Sequence, residues 1–99
     1  MAFEIDWSDI ALEDYQRILD YLQLNWSEKV SGNFEIILNK KLDLLRFQPN
    51  RGALSPKYVD VRSILITRQN KLYYHIGENS ISILTIIDTR QDPDKNPFL

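Results

Sequence analysis

Near its C-terminal end the chain reads Ile81-Ser82-Ile83-Leu84-Thr85-Ile86-Ile87, followed by Asp88-Thr89-Arg90-Gln91-Asp92-Pro93. An extended segment of that sequence carries apolar side chains on both faces. It therefore belongs in the interior of a sheet, with neighbours on either side, and not at an edge. The charged exit puts Arg90 at the end of a central strand, where a fold can present it to a partner.

The rest of the chain must supply cover for that strand. Phe3-Glu4-Ile5-Asp6-Trp7 alternates apolar and acidic residues and reads as a half-exposed strand. Ser8 is a good N-cap, and Ala11, Tyr15, Ile18, Leu19 and Leu22 recur at helical spacing until Asn25. Ser27 caps a second helix, about Glu28 to Phe47, with Val30, Phe34, Ile37, Leu38 and Leu45 on its apolar stripe and Pro49 beyond its end. So short a connection makes the pair an antiparallel hairpin. Gln48 to Lys57, with Pro49, Gly52 and Pro56, reads as a loop. Three strands follow, over Val59–Thr67, Lys71–Ile76 and Ile81–Asp88, joined by turns at Gln69-Asn70 and Gly77–Ser80. The expected fold is α+β in two layers: an N-terminal strand, a two-helix hairpin and a three-stranded antiparallel meander (β-α-α-β-β-β). Residues 1–99 form one domain, with a core over 1–90 and an extended tail over 91–99.

Composition narrows the function classes. The net charge of -2 and pI near 5.3 argue against tight nonspecific binding to nucleic acid, which needs cations to displace counterions. Charge is uneven: residues 1–50 hold five Lys/Arg against nine Asp/Glu, and residues 51–99 hold seven against five. The second half is the better face for an acidic partner. No run of about 18 apolar residues offers to span a membrane. The acidic N-terminus does not resemble a signal peptide, and the absence of cysteine fits a reducing compartment, so a cytoplasmic protein is expected. No phosphate loop, catalytic triad or zinc spacing is present, and neither a cofactor nor a metal is expected.

In the strand at 59–68, one face carries Arg62, Ile64, Ile66 and Arg68, and the other carries Val61, Ser63, Leu65 and Thr67. If the arginine-bracketed face is open, Ile64 and Ile66 form an apolar patch flanked by positive charge, the mark of a partner site. If it is covered, the isoleucines are core and the arginines reach to its rim. His75 is the only histidine and the obvious acid–base candidate, although a lone strand histidine is more often a packed or surface residue. Tyr73-Tyr74 can stack on bases, or place one ring on each side of the sheet. Arg62 and Arg90 can grip acidic groups of a partner or pair internally with Asp60, Asp88 or Asp92. Trp7 and Trp26 flank the first helix and read as seals of the helix–sheet junction. Asp6, Asp9, Glu13 and Asp14 read as a solvated, helix-N-terminal acidic face.

Taken together, Trp7-Ser8, Asp14…Ile18…Tyr21, Pro49…Gly52, Arg62, Tyr74 and the Ile83…Ile86…Asp88-Thr89-Arg90-Gln91-Asp92-Pro93 block resemble the RelE/ParE superfamily, the toxins of bacterial type II toxin–antitoxin pairs. The resemblance implies the same β-α-α-β-β-β arrangement and a cognate antitoxin, expected to lay an extended or helical segment along the hairpin and across the sheet. It would cover Ile64 and Ile66 and engage the arginines. Two activities are implied on this fold: messenger RNA cleavage on the ribosome, as in RelE-like members, and inhibition of DNA gyrase, as in ParE-like members. RNA cleavage needs a base, an acid and cations around one phosphate. Arg62, Arg68, His75 and Arg90 are the candidates for it. RelE-like nucleases often carry a catalytic Tyr or His after the last strand, and this chain has neither there. The block at 88–93 is also more similar to the ParE branch. The expected function is thus a ParE-like gyrase inhibitor, which need not be an enzyme, with Arg62, Ile64, Ile66, Arg68, Tyr74 and Arg90 meeting target or antitoxin. The alternatives are a ribosome-dependent endoribonuclease and a non-toxic antitoxin-binding module.

Overall fold

The computed structural model describes residues 2–98. Its elements are β1 (Glu4–Trp7), α1 (Asp9–Asn25), α2 (Glu28–Phe47), β2 (Ala53–Leu54), β3 (Val61–Thr67), β4 (Asn70–Ile76) and β5 (Ser80–Asp88). One sheet runs in the order β1-β5-β4-β3-β2. The meander β3-β4-β5 is antiparallel, β2 pairs antiparallel with β3, and β1 lies parallel to β5. The helical hairpin covers one face, giving the expected two-layer α+β fold. The sheet has one strand more than the sequence suggested, because Gln48–Lys57 is not all loop. Pro49–Arg51 turns as a 3-10 helix and Ala53–Leu54 joins the sheet edge.

Both helices begin where their caps place them. Ser8 Oγ accepts the Ala11 N–H at 3.0 Å, and Ser27 Oγ accepts the Val30 N–H at 3.1 Å, satisfying first-turn donors that have no partner inside the helix. The end of α2 is tied to the start of β1: Phe3 N–H donates to Arg46 O, and Arg46 Nε donates to Phe3 O. β3 starts at Val61 and not Val59, because Asp60 takes a left-handed φ of 60° that breaks the extended run.

β5 sits inside the sheet, as its two-sided apolar sequence requires. Strict alternation would put Ile83 and Ile86 on opposite faces. The β4–β5 register slips between Tyr73, opposite Thr85, and Tyr74, opposite Ile83. The extra residue lets both isoleucines reach the helix side. There they join Ala11, Phe34, Leu38, Leu45, Leu72 and Tyr74 in the core.

That geometry decides which face of β3 is covered. Ile64 stands opposite Leu72 and Arg62 opposite Tyr74, both of them core positions. Ile66 is 4% exposed and Ile64 packs against the same cluster. The isoleucine face therefore lies under the helices, and Ile64 and Ile66 offer no open patch to a partner. Trp26 corrects a second expectation. It is 69% exposed at the hairpin tip, while Trp7 stacks on Tyr15 at 5.3 Å beside the core.

The tail corrects a third. Residues 91–98 do not trail away, and Leu99 lies outside the described residues. Asp92 caps a 3-10 turn over Pro93–Lys95, and the chain folds back over the open sheet face. Phe98 stacks on Tyr73 at 4.7 Å with Tyr58 edge-on at 5.7 Å, and Asn96 Nδ2 donates to the Tyr73 hydroxyl at 3.0 Å. Tyr73 is consequently only 2% exposed.

Asp14 is the least expected core residue. β1 ends opposite Ile83, so the rest of β5 has no strand on that side. Ser8 takes the first of the free groups: its N–H donates to Ile83 O and its Oγ to Leu84 O. Asp14 takes the next. Its Oδ2 accepts the Ile86 N–H at 3.1 Å and the Thr85 hydroxyl at 2.5 Å, while Oδ1 accepts Arg17 Nη1 at 3.1 Å. An acid counted on the solvated face is thus 9% exposed and hydrogen-bonded by three donors. Asp14→Ala should destabilise the protein by about 2 kcal/mol, since it leaves a buried N–H unpaired. Asp14→Asn, which keeps an acceptor, should cost less. Urea denaturation midpoints of the three proteins check both the size and the order.

Candidate functional site

The candidate groups occupy two ends of the sheet. At the end where β3 begins, Arg62 is half-buried and is neither free nor paired with an acid. Its Nη1 donates to Asn50 O at 3.1 Å and to Gly52 O at 2.7 Å. Tyr74, fully buried, closes the same loop from below. Its hydroxyl donates to Pro49 O at 2.6 Å and accepts the Gly52 N–H at 3.0 Å. Gly52 is required by this approach: a Cβ there would lie 2.6 Å from the Tyr74 hydroxyl oxygen and 2.7 Å from Ser63 O. Burial pushes the Tyr74 phenol up, opposed by the Gly52 hydrogen bond and the Arg62 charge. Arg62 and Tyr74 therefore clamp the helix-to-sheet loop, and the Tyr74 side chain is buried beneath it.

The other end carries Arg68 and Arg90. The Thr89 hydroxyl donates to Arg68 O at 2.8 Å and Thr89 N–H to Gln69 O at 2.9 Å, which fastens the exit of β5 to the β3–β4 turn. Arg90 grips Asp88 through Nε at 3.0 Å and Nη2 at 2.7 Å. Side-chain and backbone hydrogen bonds from Arg90 hold the Asp88 carboxyl below its usual range. Both partners remain largely in solvent, with side-chain exposures of 62% and 45%. Arg68 is exposed as well. The Thr89 bonds thus bring the backbones of these two exposed arginines to the same end of the sheet.

His75 is half-buried on the open face, opposite Val61, near the far end of β4. Five residues of strand, about 17 Å, separate it from the Arg68–Arg90 corner. It also lies on the opposite face from Arg62, since Val61 and Arg62 alternate. The four candidates for RNA cleavage thus do not converge on one phosphate. Among the described residues, no group of three or more His, Cys, Asp and Glu side chains is placed to hold a metal ion, and no helix is long and apolar enough to cross a membrane.

A groove of about 660 Å³ opens beside the Arg90 corner, between α1 and the part of β5 that β1 leaves uncovered. Ile10, Asp14, Arg17 and Tyr21 line it from the helix, Leu84 to Asp88 from the strand, and Arg90, Lys95 and Phe98 from beyond. The helix residues were within reach of sequence reasoning. They stand at i, i+4, i+7 and i+11, one face of a helix beside the apolar stripe. The part that Phe98 plays had no comparable signal.

The family model described as the ParE toxin of the type II toxin–antitoxin system parDE matches residues 5–93. Among solved structures, the chain is similar to one from the chromosomal ParDE system of P. aeruginosa, with TM-score 0.72 and 19% identity over 88% of this chain and 96% of that one. It is also similar to the YoeB dimer of Staphylococcus aureus, with TM-score 0.64 and 20% identity over 88% and 97% of the two chains. A YoeB/ParE toxin of Agrobacterium tumefaciens gives TM-score 0.64 and 14% identity over 86% and 97%. At such identities these likenesses speak to fold. No match is found among curated protein sequences.

The clamp at Gly52 has a pH signature. With the folded-state pKa of Tyr74 raised, the stability that its protonated phenol contributes is whole below about pH 10 and falls away as pH rises through the higher folded-state value. Tyr74→Phe leaves Pro49 O and the Gly52 N–H without their partner, and should cost roughly 1–3 kcal/mol at neutral pH. It should also flatten the alkaline limb of the stability curve. Denaturant titrations between neutral pH and pH 11 measure both effects.

Proposed function

Because the chain belongs to the ParE toxin family of type II toxin–antitoxin systems, we propose that it is a ParE-like toxin that binds and inhibits DNA gyrase in the cytoplasm and is held inactive by its cognate antitoxin. The observation that carries this reading over RNA cleavage is the dispersal of the candidate catalytic groups. General acid–base chemistry at one phosphate needs its base, acid and cations within a few ångströms of the reacting atoms. Here Arg62 is spent on two loop carbonyls, His75 lies on the other face, and Arg68 and Arg90 lie at the other end of the sheet.

A toxin that works by binding needs an exposed, pre-arranged surface, and the Arg68–Arg90 corner supplies one. Two of the three nitrogens of the Arg90 guanidinium are engaged by Asp88. Among the described residues Nη1 has no hydrogen-bond partner and can take an acidic group of the target. The pair holds the guanidinium in place before binding, which lowers the ordering cost on contact.

Purified protein should block supercoiling by gyrase and leave ribosome-bound message intact. Sharp cuts in message beside normal supercoiling would overturn the reading. Arg90→Ala should keep the fold, because the pair it breaks is surface-exposed. It should weaken gyrase inhibition by roughly tenfold, the factor expected for one lost charge-assisted contact. Circular dichroism and the supercoiling assay on the same sample check the two halves together.

A further inference from the structure

We propose that the open face of the sheet carries a peptide-binding cleft, formed by Tyr73, Tyr58 and Ser55, for a partner segment with an aromatic residue two places after an asparagine. In this chain its own tail fills the cleft and acts as a built-in competitor. The cleft lies on the face of the sheet turned away from the helices, and the inference does not depend on which target the toxin attacks.

The cleft is built without help from the tail. Tyr73 stands in the middle of β4, paired with Ser63 of β3 and Thr85 of β5. The wall beside it runs from Ser55 to Tyr58. It is tied to the sheet by the Ser55 N–H, which donates to Val61 O at 2.8 Å. Ser55 Oγ accepts the Lys57 and Tyr58 N–H groups at 3.1 and 3.2 Å, which folds the wall into a turn. A ring as floor and a ring as wall are thus held by bonds of their own, which lowers the ordering cost of seating a ligand between them.

The segment seated there defines the chemistry of the ligand. The Phe98 ring lies 20° from the plane of Tyr73 and 67° from that of Tyr58, a stacked and an edge-on contact, both favoured by aromatic pairs. Asn96 uses both ends of its amide. Nδ2 donates to the Tyr73 hydroxyl at 3.0 Å, and Oδ1 accepts the Phe98 N–H at 2.9 Å. The same side chain therefore reads the floor of the cleft and sets the approach of the ring. Ser55 Oγ donates to Phe98 O at 3.4 Å, a contact to peptide backbone. Pro97, between the two, restricts the backbone that joins them. An asparagine, a stiff link and an aromatic ring make one recognition unit.

Two rings and two hydrogen bonds hold the end of the tail. Among the described residues the tail adds no strand to the sheet, and Asp92 to Lys95 are exposed. Such a segment can exchange, but its tether keeps it at an effective concentration on the order of 1 mM. A free peptide therefore enters poorly while the tail is intact. A partner already bound elsewhere on the toxin presents its segment at a comparable concentration and can compete. A second copy is a poorer occupant, because its tail is already seated in its own cleft.

The probe is a fluorescein-labelled peptide with the sequence of residues 92–99, measured by anisotropy against the full chain and its variants. The Phe98→Ala chain, whose cleft is vacated, should bind it about tenfold or more tighter than the parent does. Adding Tyr58→Ala, at an exposed ring, should weaken that binding about tenfold, and adding Tyr73→Ala should abolish it. The peptide carrying Phe98→Ala, a scrambled peptide and oligothymidine should not bind. Amide shifts of the Phe98→Ala chain on titration should move at residues 55–63 and 71–75 and stay fixed in both helices. Tyr58→Ala leaves the core untouched, so a loss there is not a loss of fold. The proposal is overturned if the parent binds the peptide as tightly as Phe98→Ala, if Tyr58→Ala changes nothing, or if the scrambled peptide or oligothymidine binds the vacated cleft equally. It is also overturned if the parent is a dimer that Phe98→Ala disperses, since a second copy would then be the occupant.

Discussion

A single carboxylate ties the middle of α1 to the backbone of the central strand, beside the apolar core that packs the two layers together. β1 is too short to flank the whole of β5, so the central strand leaves the sheet with one side bare. Asp14 reaches down from α1 and closes that side with bonds to Ile86 and Thr85. Together with the Ser8 bonds and the packing of Ala11, the contact helps to set the height and rotation of α1 against the sheet, and so where Arg17 and Tyr21 emerge. A side-chain acceptor does here what another strand would otherwise do, without presenting a further edge.

The second constraint works at the opposite end. Tyr74 and Arg62 hold the Pro49–Gly52 loop by four hydrogen bonds to its backbone. Both side chains rise from the covered face of the sheet, which is the reason they reach the loop backbone. The two residues look functional in the sequence because an arginine and a tyrosine are chemically versatile. Tyr74 has both its donor and an acceptor site occupied there, and Arg62 commits its Nη1 to two carbonyls.

Much of this was legible in the sequence. The two N-caps, the hairpin and the interior place of Ile81–Ile87 each follow from local pattern, because a cap or a periodicity is a property of neighbouring residues. What was not legible depends on pairing across long distances. The slip between Tyr73 and Tyr74 decides that Ile83 and Ile86 share a side, and no pattern within 81–87 announces it. The covered face of β3 follows from its pairing with Leu72 and Tyr74, so the placement of Ile64 and Ile66 was undecidable from residues 59–68 alone. Asp14 was misread for the same reason: its partners lie more than 70 residues away. The tail was misread because Asn96 and Phe98 find Tyr73 only after the meander has formed.

The Asp88–Arg90 pair is closed within three residues of chain and stands in solvent. Arg17 and Tyr21 likewise project from a helix whose packing side is elsewhere. Substitutions at Asp88, Arg90 and Tyr21 therefore leave the core untouched, whereas Asp14, Gly52 and Tyr74 are locked by what they touch. A lineage carrying this fold is free to exchange its outward charges one at a time while remaining folded. The chemistry of the surface can drift without passing through an unstable ancestor.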